Sequence, residues 1–322
     1  MRRSQDWPVP HVPMRQAIWL DGPVPPGYWQ DPRNRRRYVC WLGQRLRFRK
    51  LEDWHKISTA DFKRNHGAGL LQSHYRDSAI AAVMECFPDH EWHEWEFRTA
   101  PIHFWQDQRN HRRYMSWLGK QLGFRRPEDW YGITTADFQK HKGGAFLLHY
   151  DSSAVAAVMA YLPDYGWKEW LFTFTPKDFW SARRNRRRYM DWLAEQLGIR
   201  DPEDWYAVTQ REFNANAGNQ FLKLYNGLPF QAIKAYIPSY PWKEWLFSRV
   251  PFHFWHDQEN RRRYMRWLGR KLGFRKPADW QAVRLRHFQE NCGAGLIARY
   301  DSYVDVLEEY LPGIGWATSR RR

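Results

Sequence analysis

Little in this chain points to a disulfide-stapled, metal-bound or membrane-spanning protein. Only three cysteines occur, Cys40, Cys86 and Cys292. They are an odd set at unrelated places, so neither a disulfide framework nor a cysteine metal site is expected. The histidines form no recurring ligand set either: His253, His256 and Asp257 lie close together, but elsewhere the same places hold His103 with Gln106, or Asp178 with Ser181. No metal and no cofactor are expected. Apolar runs stay short, as in Ala79-Ile80-Ala81-Ala82-Val83-Met84, well below the roughly 20 residues a membrane span needs. The stretch Met1-Arg2-Arg3-Ser4-Gln5-Asp6-Trp7-Pro8 has no apolar core for a secretory signal, so an intracellular protein without a membrane partner is expected. No stretch alternates between hairpin turns as strands do. No Ser, His and acid set recurs, and the Glu of a recurring Glu-Asp pair becomes Ala278 in its last copy. Nothing here builds an enzyme.

What the chain does have is repetition. Asn-Arg/His-Arg-Arg-Tyr begins at Asn34, Asn110, Asn185 and Asn260, each preceded by an aromatic pair: Tyr28-Trp29, Phe104-Trp105, Phe179-Trp180 and Phe254-Trp255. So regular a spacing marks an internal repeat of about 75 residues. The expected organisation is a lead-in over residues 1–27, then repeats over 28–102, 103–177, 178–252 and 253–322, the last with a basic tail. Prolines Pro25, Pro101, Pro176 and Pro251, with Trp19, Trp95, Trp170 and Trp245, mark short aromatic connectors. Such connectors are too short to be flexible linkers, so neighbouring modules should pack together.

Within the second repeat, Asp107 suits a helix N-cap and apolar residues at helical spacing predict a first helix from about Gln108 to Leu122. Gly123 is placed to stop it. A turn around Asp129 and Trp130 follows, with Asp53, Asp204 and Asp279 as its counterparts. Thr134 with Asp137 then forms a capping-box start to a second helix, matched by Ser58 with Asp61 and Thr209 with Glu212. Arg284 with His287 breaks that pattern, which predicts a weaker helix start there. Gly143-Gly144 interrupts the helical pattern as a bend or close approach; no strand precedes it and no Lys-Ser/Thr follows, so it is not a phosphate loop. A third helix runs over Ala154–Leu162 to Pro163. The fold class is therefore all-α: four tandem Trp-rich three-helix modules, with the tryptophans as core.

The net charge of +16 and pI near 9.8 suit a polyanionic partner. That charge is localised. Residues 34–50, 110–126, 185–201 and 260–276 carry +7, +5, +1 and +8, leaving the rest of the chain net acidic. Arginine matches phosphate geometry, and a helix start adds the positive end of its dipole. The candidate nucleic-acid contacts are Asn34, Arg35, Arg36 and Arg37; Asn110, Arg112, Arg113 and Lys120; Asn185, Arg186, Arg187 and Arg188; and Asn260, Arg261, Arg262, Arg263, Arg266 and Arg270. Trp29, Trp105, Trp180 and Trp255 border them as possible base-stacking rings. Each Asn could read a base edge, most naturally adenine, but an inward hydrogen bond holding the module together suits it better, and acids such as Glu94 can pair with the next basic helix. In the third repeat, Asp191 and Glu195 follow Arg187 at helical spacing, so that repeat should contribute least. The expected partner is DNA or RNA held by its phosphates; the alternative is a scaffold for an acidic protein or a ribonucleoprotein.

Three helices with regularly placed tryptophans, as at Trp117, Trp130 and Trp167, resemble Myb-type tandem DNA-binding repeats at that level only. The module here is longer, and its basic cluster lies on the first helix rather than on a third, recognition helix. No base-contacting residue is carried over.

Overall fold

The computed structural model describes residues 17–251 and 253–316. Most of the proline-rich lead-in and the Arg320-Arg321-Arg322 tail lie outside the described residues. The chain is all-helical, with no β-strand among the described residues, and is organised around repeated aromatic clusters. It divides into two compact units, one ending at Pro176 and the other beginning at Lys177.

In the first unit, a 3-10 turn at Phe104–Gln106 leads into a long helix, Gln108–Leu122. The Asp107 carboxylate accepts from Arg109 N at 2.8 Å, and Gly123 ends the helix at φ 74°. Both roles follow from chemistry: a short acid satisfies an orphan N–H at the start, and glycine adopts the left-handed cap without a Cβ penalty. Asp31 caps the equivalent helix, Pro32–Arg45, with proline at its first position. The 3-10 turn Pro127–Gly132 is closed by Asp129, whose Oδ2 accepts from Arg125 N at 2.7 Å and Arg126 N at 2.9 Å. Thr134 and Asp137 form the expected capping box before Thr135–Lys140.

One expectation needs correction. The Gly143-Gly144 stretch is not a bare bend, because Gly144–Leu147 forms a helix of its own that runs into a 3-10 turn, Leu148–Tyr150. Ala154–Tyr161 then completes the set. Four α-helical segments, rather than three helices, therefore follow each opening turn. Leu70 with Leu71, and Phe146 with Leu147, are buried on these short segments, and that tertiary burial stabilises helices too short to persist alone.

The second unit holds the counterparts Arg183–Leu197 and Gln258–Lys271 as its long helices. Arg183–Leu197 has no side-chain N-cap, since Ala182 stands where the others have Asp. Leu285–Gln289, led by Arg284, lacks the capping hydroxyl, as its sequence predicts.

The core is aromatic throughout. Tyr38, Tyr114, Tyr189 and Tyr264 are fully buried on the long helices. The opening tryptophans pack edge-on against them, with ring centroids 5.6 Å apart for Trp29–Tyr38, 5.5 Å for Trp105–Tyr114, 5.4 Å for Trp180–Tyr189 and 5.3 Å for Trp255–Tyr264. Edge-to-face pairs of this kind add roughly 0.5–1.5 kcal/mol beyond burial. Connector rings join the same clusters: Trp95 packs on Tyr114, and Trp245 on Tyr264.

Candidate functional site

The long helices present the Asn-Arg-Arg-Arg-Tyr cluster, and its four polar positions prove to have different jobs. At the first position, the amide Nδ2 donates to the carbonyl six residues earlier in every repeat: Asn34 to Tyr28 O at 3.0 Å, Asn110 to Phe104 O at 2.9 Å, Asn185 to Phe179 O at 2.8 Å and Asn260 to Phe254 O at 3.0 Å. These side chains fasten the opening turn to the helix, which is the inward alternative to reading a base.

The second position also faces inward. Arg35 Nη1 donates to Trp29 O and Gln30 O, Arg186 Nη1 to Trp180 O and Ser181 O, and Arg261 Nη1 to Trp255 O and His256 O. Each distance is between 2.7 and 2.9 Å. In the second repeat the residue is His111, buried, with Nε2 2.6 Å from Trp105 O and Nδ1 2.7 Å from the Tyr150 hydroxyl. Since a carbonyl only accepts, Nε2 carries the proton. His111 had no place among the candidate contacts; its position in the repeat was the signal that would have found it.

The fourth position pairs with a connector acid. Arg113 forks onto Glu94 at 3.2 and 3.0 Å, with its guanidinium 5.7 Å from the Trp95 ring centroid. Arg263 Nη2 donates to Glu244 Oε2 at 2.8 Å, 5.8 Å from the Trp245 ring. Glu244 is buried and is also paired with Lys234 at 3.3 Å. Planar, bidentate guanidinium binding combined with stacking is chemistry lysine cannot reproduce. Arg188 is half-buried, whereas Arg37 is exposed, with Ile18 where the other repeats place the acid.

The third position faces solvent. Arg36, Arg112 and Arg262 are exposed and form no direct ion pair among the described residues, although Glu309 feels the charge of Arg262, while Arg187 is paired with Asp191 at 3.8 Å and lies over the Tyr236 ring. Lys120 is exposed as well. In the last repeat Arg266 and Arg270 come together with Arg275 and Lys276 around a 330 Å³ cavity that also meets Trp280 and Tyr310. No acid lines it, although Arg266 also bonds Glu259. Arg275 and Lys276 were visible only as part of the +8 segment. They are held because their backbone N–H groups both donate to Asp279, at 2.8 and 3.0 Å.

The stacking option does not carry forward. Trp29, Trp105, Trp180 and Trp255 are 6–8% exposed, which leaves little ring surface for a base. Among the described residues no group of three or more His, Cys, Asp or Glu is placed to hold a metal, and no helix is long and apolar enough to cross a membrane. Cys40, Cys86 and Cys292 are free thiols.

Compared with family models, curated proteins and solved structures, the chain matches none. Its reading rests on its own residues.

Proposed function

We propose that the chain is a tandem array of four modules of about 75 residues that binds nucleic acid through phosphate contacts from the outward face of its long helices. The observation that carries this reading is the cavity lined by Arg266, Arg270, Arg275 and Lys276, where four cations converge with no acid in the lining. Glu259 and Asp279 offset part of this charge from outside the lining, and the remaining cations favour an incoming anion. The exposed Arg36 and Arg112 extend the same chemistry to the first two long helices, and Arg262 adds to it on the last. The third repeat, with Asp191 on Arg187, contributes least.

The test is binding of labelled duplex DNA, single-stranded DNA and RNA at low salt, followed by a salt titration. Phosphate contacts give affinity that falls steeply as salt rises, because each contact releases condensed counterions. If none of the three binds, the reading passes to an acidic protein partner, for which the Arg113–Glu94 fork is a precedent within the chain itself.

A further inference from the structure

The inward arginine of the second cluster position has a second half. In the first repeat, the Nε–Nη2 edge of Arg35 binds Glu85 at 2.8 and 2.7 Å. In the last repeat, the same edge of Arg261 binds Glu309 at 2.9 and 2.7 Å, and the Tyr300 hydroxyl donates to the other oxygen of that carboxylate. Both acids are the penultimate residue of the closing helix, Ala79–Cys86 and Tyr303–Tyr310. The second repeat has Ala160 there, and replaces the arginine with a hydrogen-bonded pair, His111 and Tyr150.

The third repeat does only half of this. The penultimate residue of its closing helix, Pro229–Tyr236, is Ala235, yet the arginine is kept. Arg186 Nη1 holds the two turn carbonyls as usual, and its Nε–Nη2 edge meets no acceptor among the described residues. Where the carboxylate would lie there is a 320 Å³ cavity, lined by Arg183, Arg186, Arg187, Tyr225 and Tyr236 among others. Tyr225 is the counterpart of Tyr300, and Arg183 adds a further cation. Asp191, which lies close by, is engaged by Arg187 and by the Tyr236 hydroxyl at 2.6 Å. A half-buried guanidinium edge left without its anion retains a desolvation cost that a ligand can relieve.

We propose that this cavity binds a small-molecule carboxylate, seated on the Nε–Nη2 edge of Arg186 as Glu309 is seated on Arg261. The size suits a small organic acid. The proposal rests on the inward Arg186 rather than on the outward positions; Arg187, the outward residue that also lines the cavity, is already paired with Asp191.

The experiment titrates the full chain with acetate and with glutarate against sodium chloride of equal ionic strength, reading heat by calorimetry and the thermal midpoint. Inorganic phosphate forms a separate arm. A saturable carboxylate signal that raises the midpoint is expected. Ala235→Glu, which supplies the missing acid from within, is expected to raise the midpoint without ligand and to abolish the signal. Arg186→Lys keeps a charge for the turn carbonyls but loses the planar edge, and is expected to weaken binding about tenfold. The proposal is overturned by no saturable carboxylate signal, by an equal signal in Ala235→Glu, by unchanged affinity in Arg186→Lys, or by a response to phosphate alone.

Discussion

Gly143 abuts the hydroxyl of Tyr114 so closely that no Cβ fits between them. The tyrosine, fully buried on the long helix, donates to His141 O at 3.2 Å. The relationship recurs as Gly67 with Tyr38, Gly218 with Tyr189 and Gly293 with Tyr264. Gly143→Ala should therefore destabilise by about 1–3 kcal/mol through overpacking. Neighbouring Gly144 has open space at its Cβ position, so Gly144→Ala should be neutral or stabilise by up to about 1 kcal/mol. Urea denaturation of the two variants compares them; equal losses would refute the close approach as the reason for the glycine.

The Arg263–Glu244 pair should matter more than the exposed arginine beside it. Glu244 has a side chain only 5% exposed, and removing its main partner leaves a buried carboxylate supported by Lys234 alone. Arg263→Ala is expected to cost about 1–3 kcal/mol, whereas Arg262→Ala should stay within about 0.5 kcal/mol. Matching losses in chemical denaturation would show that the connector acid does not hold the cluster.

His55 should make the protein acid-sensitive. Its ring packs edge-on with both Trp92 and Phe97, at 5.5 and 5.1 Å, and burial, assisted by His90, His93 and Lys142, lowers its pKa to about 4 against the pull of Glu52. The unfolded chain takes up this proton near the ordinary value, about 6.5. Stability from His55 is therefore complete above that pH and is lost as pH falls from there towards 4. Glu96, 3.8 Å away, is shifted upward by burial and titrates in the opposite sense, so the comparison is made with His55→Tyr, the residue found at Tyr131 and Tyr206. Melting midpoints at pH 7 and pH 5 should drop further for the wild type than for the variant.

The helix start at Arg284 can be repaired. His287 Nδ1 accepts from Arg284 N at 3.1 Å, but no hydroxyl returns the bond as Ser58, Thr134 and Thr209 do. Arg284→Ser combined with His287→Asp should add about 1 kcal/mol. An unchanged or lower unfolding midpoint would mean that this helix end does not limit stability.

Local chemistry was the legible part of the sequence. Asp107, Gly123, the Thr134–Asp137 box and the helix Gln108–Leu122 all appear where short-range rules place them. The helix at Gly144–Leu147 was hidden because four residues show no period; burial of Phe146 and Leu147 makes it. In the cluster, composition announced positive charge but not direction. Arg35 and Arg36 are adjacent and chemically identical, yet one closes on Glu85, 50 residues away, and the other faces solvent. Partners so distant along the chain are fixed by packing, which a single sequence does not display.

The most direct measurement is the salt dependence of nucleic-acid affinity for the wild type and for a triple variant, Arg36→Ala, Arg112→Ala and Arg262→Ala. These three side chains are exposed and form no direct ion pair among the described residues, so the fold should survive their loss. If each neutralises a phosphate, the slope of log affinity against log salt should become shallower by about 2–3 in the variant. Identical slopes would contradict phosphate binding by the outward face of the long helices.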